Sequence, residues 1–235
     1  MLAFALALAL PLAAAPNPMG DFQAARAAEQ AGDAAAAGRL LEQVCLEAPS
    51  WALARIELAQ VRLAQGDAAQ ARGLASQAVQ LDATSPRGWH VLSLADEAAA
   101  DLPGAIDADQ HALALRPGYA EAEDHLARVE WNAGRHADAI ELYLHIVEER
   151  PNEVGPLALL ASAEEEDGRL EAAEQALRTL VAIEPTSAGW HRRLGRLLQQ
   201  EGKERDAAQE LAKADRLVGE KRQQRHLRPL LPSRR

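Results

Sequence analysis

Aromatic residues are scarce in this chain: two Phe, two Tyr and four Trp make up 3% of its 235 residues. β-Branched residues are sparse as well, and Ala and Leu supply the bulk of the 48% apolar fraction. Both are strong helix formers. The scarcity therefore argues against a β-rich fold and for an all-α one, with a thin core of small and medium side chains. Cysteine occurs once, at Cys45, so no internal disulfide can form. Inside an expected helix, Cys45 reads as a small buried apolar residue rather than a reactive thiol. Catalytic signatures are missing too. The seven histidines form no HExxH pair, and none stands four residues from another His or Cys. There is no Gly-rich phosphate loop and no nucleophile elbow. The acidic run Glu164 to Asp167 reads as a solvated helix end, because consecutive helical residues point in different directions. No catalytic residue, metal site or cofactor is expected, and the chain reads as a non-enzyme.

Long apolar runs are confined to the N-terminus. Residues 1–15, MLAFALALALPLAAA, carry no charge and end in small residues. They read as the apolar core of a secretory signal with cleavage near Ala14 or Ala15, although no Lys or Arg precedes the run and Pro16 follows it. The run is short beside the roughly 20 apolar residues of a spanning helix. An uncleaved membrane anchor, and with it membrane association, is the alternative. Residues 16–20 read as a helix-breaking linker. Charge is also uneven. Six Lys or Arg stand against one Glu between Glu220 and Arg235, so the rest of the chain carries −15 of a total of −10. An acidic body repels phosphate backbones, so nucleic acid is not an expected partner. Residues 219–235 read as a basic cap and tail. Gly219 is expected to break the chain before a short helix that Pro229 and Pro232 would stop.

What the chain does have is a period of 34 residues. A small residue recurs at Ala37, Ala71, Ala105, Ala139, Ala173 and Ala207. Gly recurs in phase at Gly32, Gly66, Gly134, Gly168 and Gly202, with Ala100 in the gap. Pro49, Ala83, Pro117, Pro151 and Pro185 close successive units. A fixed period of this length signals stacked supersecondary units rather than one globular core. Residues 21–218 thus divide into about six helix pairs, split at the recurring Gly, which can take the positive φ of a tight turn. Expected helices include Phe22–Ala31, Ala34–Glu47, Ala52–Gln65 and Ala68–Leu81. Leu58, Leu92, Leu126, Leu160 and Leu194 form the expected core spine. Ala59, Ser93, Ala127, Ala161 and Gly195 lie where the two helices of a pair should cross.

The skeleton resembles the tetratricopeptide repeat. Its clearest copy is Trp89, Leu92-Ser93, Ala105, Ala112 and Pro117. Leu126-Ala127, Gly134, Ala139, Tyr143 and Pro151 follow in register, then Leu160-Ala161, Gly168, Ala173, Leu177 and Pro185. A fourth copy runs through Leu194-Gly195, Gly202, Ala207, Leu211 and Ala214. The resemblance covers roughly 200 residues without insertion, and the first unit departs from it most. It implies a right-handed α-solenoid whose first helices line a concave groove for a protein or peptide segment. Carried over by register, groove positions hold Ile56, Gln60, Leu63, His90, Leu94, Glu97, Asp124, Arg128 and Trp131. Phe22, Glu121, Ser162, Glu165, Glu166, Arg192 and Arg196 also fall there.

Members that clamp the acidic C-termini of chaperones use a Lys and Asn set. Ile56, Gln60, His90, Leu94 and Asp124 stand in those places, so that specificity is not expected. Ile56, Leu63 and Leu94 with Trp131 would make an apolar strip, or Leu63 and Leu94 would pack beneath the next unit. The acids beside the strip favour a ligand with some positive charge. Trp89 and Tyr143 read as structural. The expected role is an exported, periplasmic adaptor that aids assembly of a bacterial envelope complex. The alternative is a cytoplasmic or membrane-tethered module of a signalling or motility complex.

Overall fold

A computed structural model describes residues 17–227. The apolar segment 1–15 and the prolines at 229 and 232 lie outside the described residues. Twelve α-helices and no strand occur among them. They are α1 (Pro18–Gln30), α2 (Ala34–Glu47), α3 (Ala52–Ala64), α4 (Ala68–Leu81), α5 (Pro86–Ala98), α6 (Leu102–Leu115), α7 (Ala120–Asn132), α8 (His136–Glu149), α9 (Val154–Glu166), α10 (Leu170–Ile183), α11 (Ala188–Gln200) and α12 (Glu204–Leu227). Every odd-numbered helix has 13 residues, and every even one but α12 has 14. The period is therefore held helix by helix, giving about six helix pairs. The described residues form two compact bodies, divided between Asp101 and Leu102. In the first, α1 packs on α2, α2 on α3, α3 on α4, and α5 on both α3 and α4. In the second, each helix from α6 to α12 packs on the next.

The turns explain why the pairs form. Gly32, Gly66, Gly134, Gly168 and Gly202 all have φ between +75° and +80°. In each turn the residue after the glycine sends its backbone N–H back across the helix end. Asp33 reaches the Ala28 carbonyl and Arg135 that of Glu130, both at 2.9 Å, while Arg169 reaches Glu164 and Lys203 reaches Leu198, both at 2.8 Å. This is the glycine-closed helix end that satisfies orphan carbonyls. Asp33 and Asp67 then cap the second helix, accepting from Ala36 N at 2.9 Å and Gln70 N at 3.0 Å. Arg135 and Arg169 do something else. Their guanidinium groups turn back to Glu130 at 3.4 Å and Glu164 at 2.8 Å.

The crossing positions are as tight as the sequence implied. Ala59, Ser93, Ala127 and Ala161 are fully buried. A Cβ on Gly195 would stand 2.7 Å from Leu211 Cγ. Leu58, Leu126, Leu160 and Leu194 are buried, while Leu92 is only partly so. The first pair is filled by Phe22 against Trp51, ring centroids 4.7 Å apart.

Two expectations at the ends are corrected. Residues 16–20 do not all form a linker: Asn17 caps α1 by accepting from Gly20 N at 3.1 Å, and Pro18 occupies the first turn, where its missing N–H costs nothing. Gly219 does not break α12, which runs from Glu204 to Leu227. One helical glycine costs about 1 kcal/mol relative to Ala, and the Glu, Lys, Arg and Gln around it are good helix formers.

Candidate partner-binding surface

In the first body the expected strip is partly absorbed into the core. Ile56 is 2% exposed, and a Cβ on Gly88 would stand 3.4 Å from its Cδ1. It belongs with Ala59, Ala75, Ala78 and Val91 to one apolar cluster, against which Leu63 packs while partly exposed. Ile56 is thus a core residue, because a β-branched side chain one turn before the Ala59 crossing falls under α5. Phe22 is core too. His90 is buried, whereas Leu94 and Glu97 are half-buried. Gln60 is held by Arg87, whose guanidinium donates to Gln60 Oε1 at 2.5 Å and grips both oxygens of the buried Glu57 at 2.8 Å.

In the second body the first helices α7, α9 and α11 bring expected residues together. Trp131 is half-buried, stacks on His136 at 4.0 Å and 13°, and rests on the cluster of Ala127, Tyr143, Ile146 and Leu160. It edges a cavity of about 180 Å³ with Arg128, Asn132, Tyr143, Leu159, Ser162 and Glu166. Burial pushes the Tyr143 hydroxyl up to about 12, so it stays a protonated donor there. A second cavity, about 370 Å³, opens between Glu165 on α9 and Arg192, Arg193, Arg196 and Gln200 on α11.

The electrostatics differ from the acidic surface that the residue types suggested. Asp124 is matched by Arg150 at 2.8 Å, and Arg150 also meets Glu153 at 3.0 Å and Glu123 at 3.4 Å. Glu165 is matched by Arg193, which donates from Nε at 2.9 Å and from Nη2 to Ser162 Oγ at 2.8 Å. Glu121 and Glu166 stay exposed. Arg196 is exposed, and Arg192 meets Asp215 at 3.5 Å. The surface thus runs from a Trp-edged apolar cavity beside Glu166 to a basic end on α11. Arg193 was missed by sequence reasoning, and its signal was simply the triple basic pattern Arg192-Arg193-Arg196 on one helix.

Comparison with known proteins is consistent with this architecture. No family model matches the chain. Protein FlbA of Caulobacter vibrioides is 28% identical over 132 residues, 56% of this chain, and the chain spans 22% of the length of that relative. Pseudomonas aeruginosa PilF superposes with a TM-score of 0.69 at 18% identity, covering 85% of this chain and 91% of PilF. YrrB, described as a TPR protein with an unusual peptide-binding site, gives 0.63 at 16% identity, covering 75% and 91%. The fold is tetratricopeptide-like. No strand occurs among the described residues. No described helix is long and apolar enough to cross a membrane.

Proposed function

We propose that this tetratricopeptide-like chain is a true member of the repeat family and acts as a scaffold. It holds a segment of a partner protein on the first helices of its second body. The observation that carries the reading is the Trp131 cavity on α7 and α9, bordered by Arg128, Leu159, Ser162 and Glu166. A half-buried Trp beside a small cavity is the usual form of a binding hot spot. Arg192 and Arg196 further along would meet an acidic group on the same segment, and Glu166 a basic one. In the first body Leu63, Leu94 and Glu97 are proposed as a separate partner-facing patch. The apolar residues 1–15 support export, and the envelope is the proposed place of work.

The test is crosslinking and pull-down from native cells, wild type beside Trp131→Ala, with circular dichroism to confirm that both are folded. A partner captured by wild type and lost at least tenfold in the variant supports the site. Equal capture by both moves binding off this surface. Mass spectrometry of the mature N-terminus checks export: cleavage near Ala14 or Ala15 supports it, and an intact Met1 contradicts it.

A further inference from the structure

The first body has a cleft that this proposal does not use. It lies over α3 between α2 and α4 and has a volume of about 550 Å³, within the range of pockets that hold ligands. Leu46, Leu58 and Leu74 supply its apolar lining, Gln70 and Gln77 its rim, and Cys45, Arg55 and Arg62 its polar depth. Leu46 is 79% exposed, an unusual state for a large apolar side chain on α2.

The two arginines are not equivalent. Arg62 has its charge matched: it is ion-paired to Glu42, the one acid in the lining, and donates to Gln65 Oε1 at 2.6 Å, although its Nε is buried without a partner. Arg55 donates from Nε to Gln77 Oε1 at 3.2 Å. Its Nη1 is buried without a hydrogen-bond partner, and no carboxylate lies within ion-pair distance of it among the described residues. A buried guanidinium N–H with no acceptor is costly and calls for an anion. Gly73 stands inside α4, where glycine weakens a helix, and a Cβ there would meet nothing within 4 Å. Gly38, on α2, differs: its Cβ would press on Arg62 Nη1 at 3.2 Å.

We infer that this cleft is a receptor for the C-terminal end of a protein chain. The terminal carboxylate would pair with Arg55, and an apolar last side chain would lie on Leu46, Leu58 and Leu74. Charge complementarity sets the anion, since one uncompensated arginine fits one carboxylate. The open side of the cleft favours a polypeptide over a small molecule, because a free small ligand needs most of its surface enclosed. The amides of Gln70 and Gln77 can meet the backbone of the preceding residue.

Cys45 is the only cysteine and lines the cleft, so its reaction with an aromatic disulfide reagent at pH 8 reports occupancy. The full chain is tested with N-acetyl hexapeptides that differ in the last residue, each as free acid and as C-terminal amide, and with decanoate. Acids ending in Leu or Phe should slow the Cys45 reaction at least tenfold at saturation, while the amides should not. Arg55→Gln should raise the Kd of the acids at least tenfold, with Arg55→Lys recovering part of the loss and the melting temperature held. Trp131→Ala should bind the peptides as wild type does, so this site and the α7–α11 surface stand or fall separately. Amides as protective as acids, protection by decanoate alone, no protection by any peptide, or indifference to Arg55→Gln would each overturn the assignment.

Discussion

Ala100 stands with φ +62° where five sister turns have glycine at +75° to +80°. A Cβ in the left-handed region costs roughly 1–2 kcal/mol. Part of any relief is offset by the extra freedom glycine gives the unfolded chain. Ala100→Gly should therefore stabilise the protein by about 0.5–1 kcal/mol, measured by urea unfolding. A loss of stability would contradict the strain. Two helical glycines make an opposed pair. Gly73→Ala meets open space and should gain up to about 1 kcal/mol from helix propensity. Gly195→Ala drives a methyl to 2.7 Å from Leu211 Cγ and 3.2 Å from the Ala207 carbonyl, and should lose about 1–3 kcal/mol by overpacking. The same substitution with the same sign at both places would refute the crossing geometry. At this scale the register was legible in the sequence, because small residues recur every 34. The neighbours that make Gly195 obligatory and Gly73 optional were not, since both are simply glycine within a helical pattern.

At the scale of the helix, α3, α5, α7, α9 and α11 carry the leucine spine, and α5, α7 and α9 each have a buried acid near their end. Leu194 is 1% exposed in a cluster with Leu157, Leu177, Leu180 and Leu198. Leu194→Ala should cost about 2–5 kcal/mol. Asp96, Glu130 and Glu164 repeat at the same 34-residue interval and are 4%, 4% and 2% exposed. Burial pushes all three carboxyls above their usual range, only partly opposed by Arg72, Arg135 and Arg169 respectively.

A carboxyl raised in the folded state contributes most below its unfolded value and loses that contribution as pH rises through its folded value. Glu174 runs the other way. Lys203 first, then Arg178, lower it, so its contribution holds above its unfolded value and is lost as pH falls through the lowered one. The melting temperature should therefore rise as pH is lowered from neutral toward the unfolded carboxylate range. The triple variant Asp96→Asn, Glu130→Gln, Glu164→Gln should melt higher than wild type at pH 7 and vary less over that interval. A steeper profile in the variant would contradict the account. These acids sit in phase with the apolar pattern, so the period could have marked them as buried. A charge at a helix end nevertheless reads as solvated until the following turn is seen to fold its arginine back.

For the whole molecule, the sequence made the all-α repeat legible, because one period specifies turn, crossing and spine together. The proposed binding residues were legible only in part. Arg128, Trp131, Ser162 and Glu166 meet around one cavity, while Ile56 and Phe22 lie in the core. Register assigns a helix face, but which side chains on that face are covered depends on the packing of the next helix. Charge was misjudged for the same reason: Arg150 and Arg193 come from neighbouring elements to match Asp124 and Glu165.

The central claim is that a partner segment lies against the Trp131 cavity. It is tested most directly by placing a photo-crosslinking amino acid at Leu159, which lines that cavity, and at Leu115, an exposed residue outside it. Crosslinks to one partner segment from position 159 and none from position 115 are expected. Crosslinks from 115 with none from 159 would show that the partner binds elsewhere.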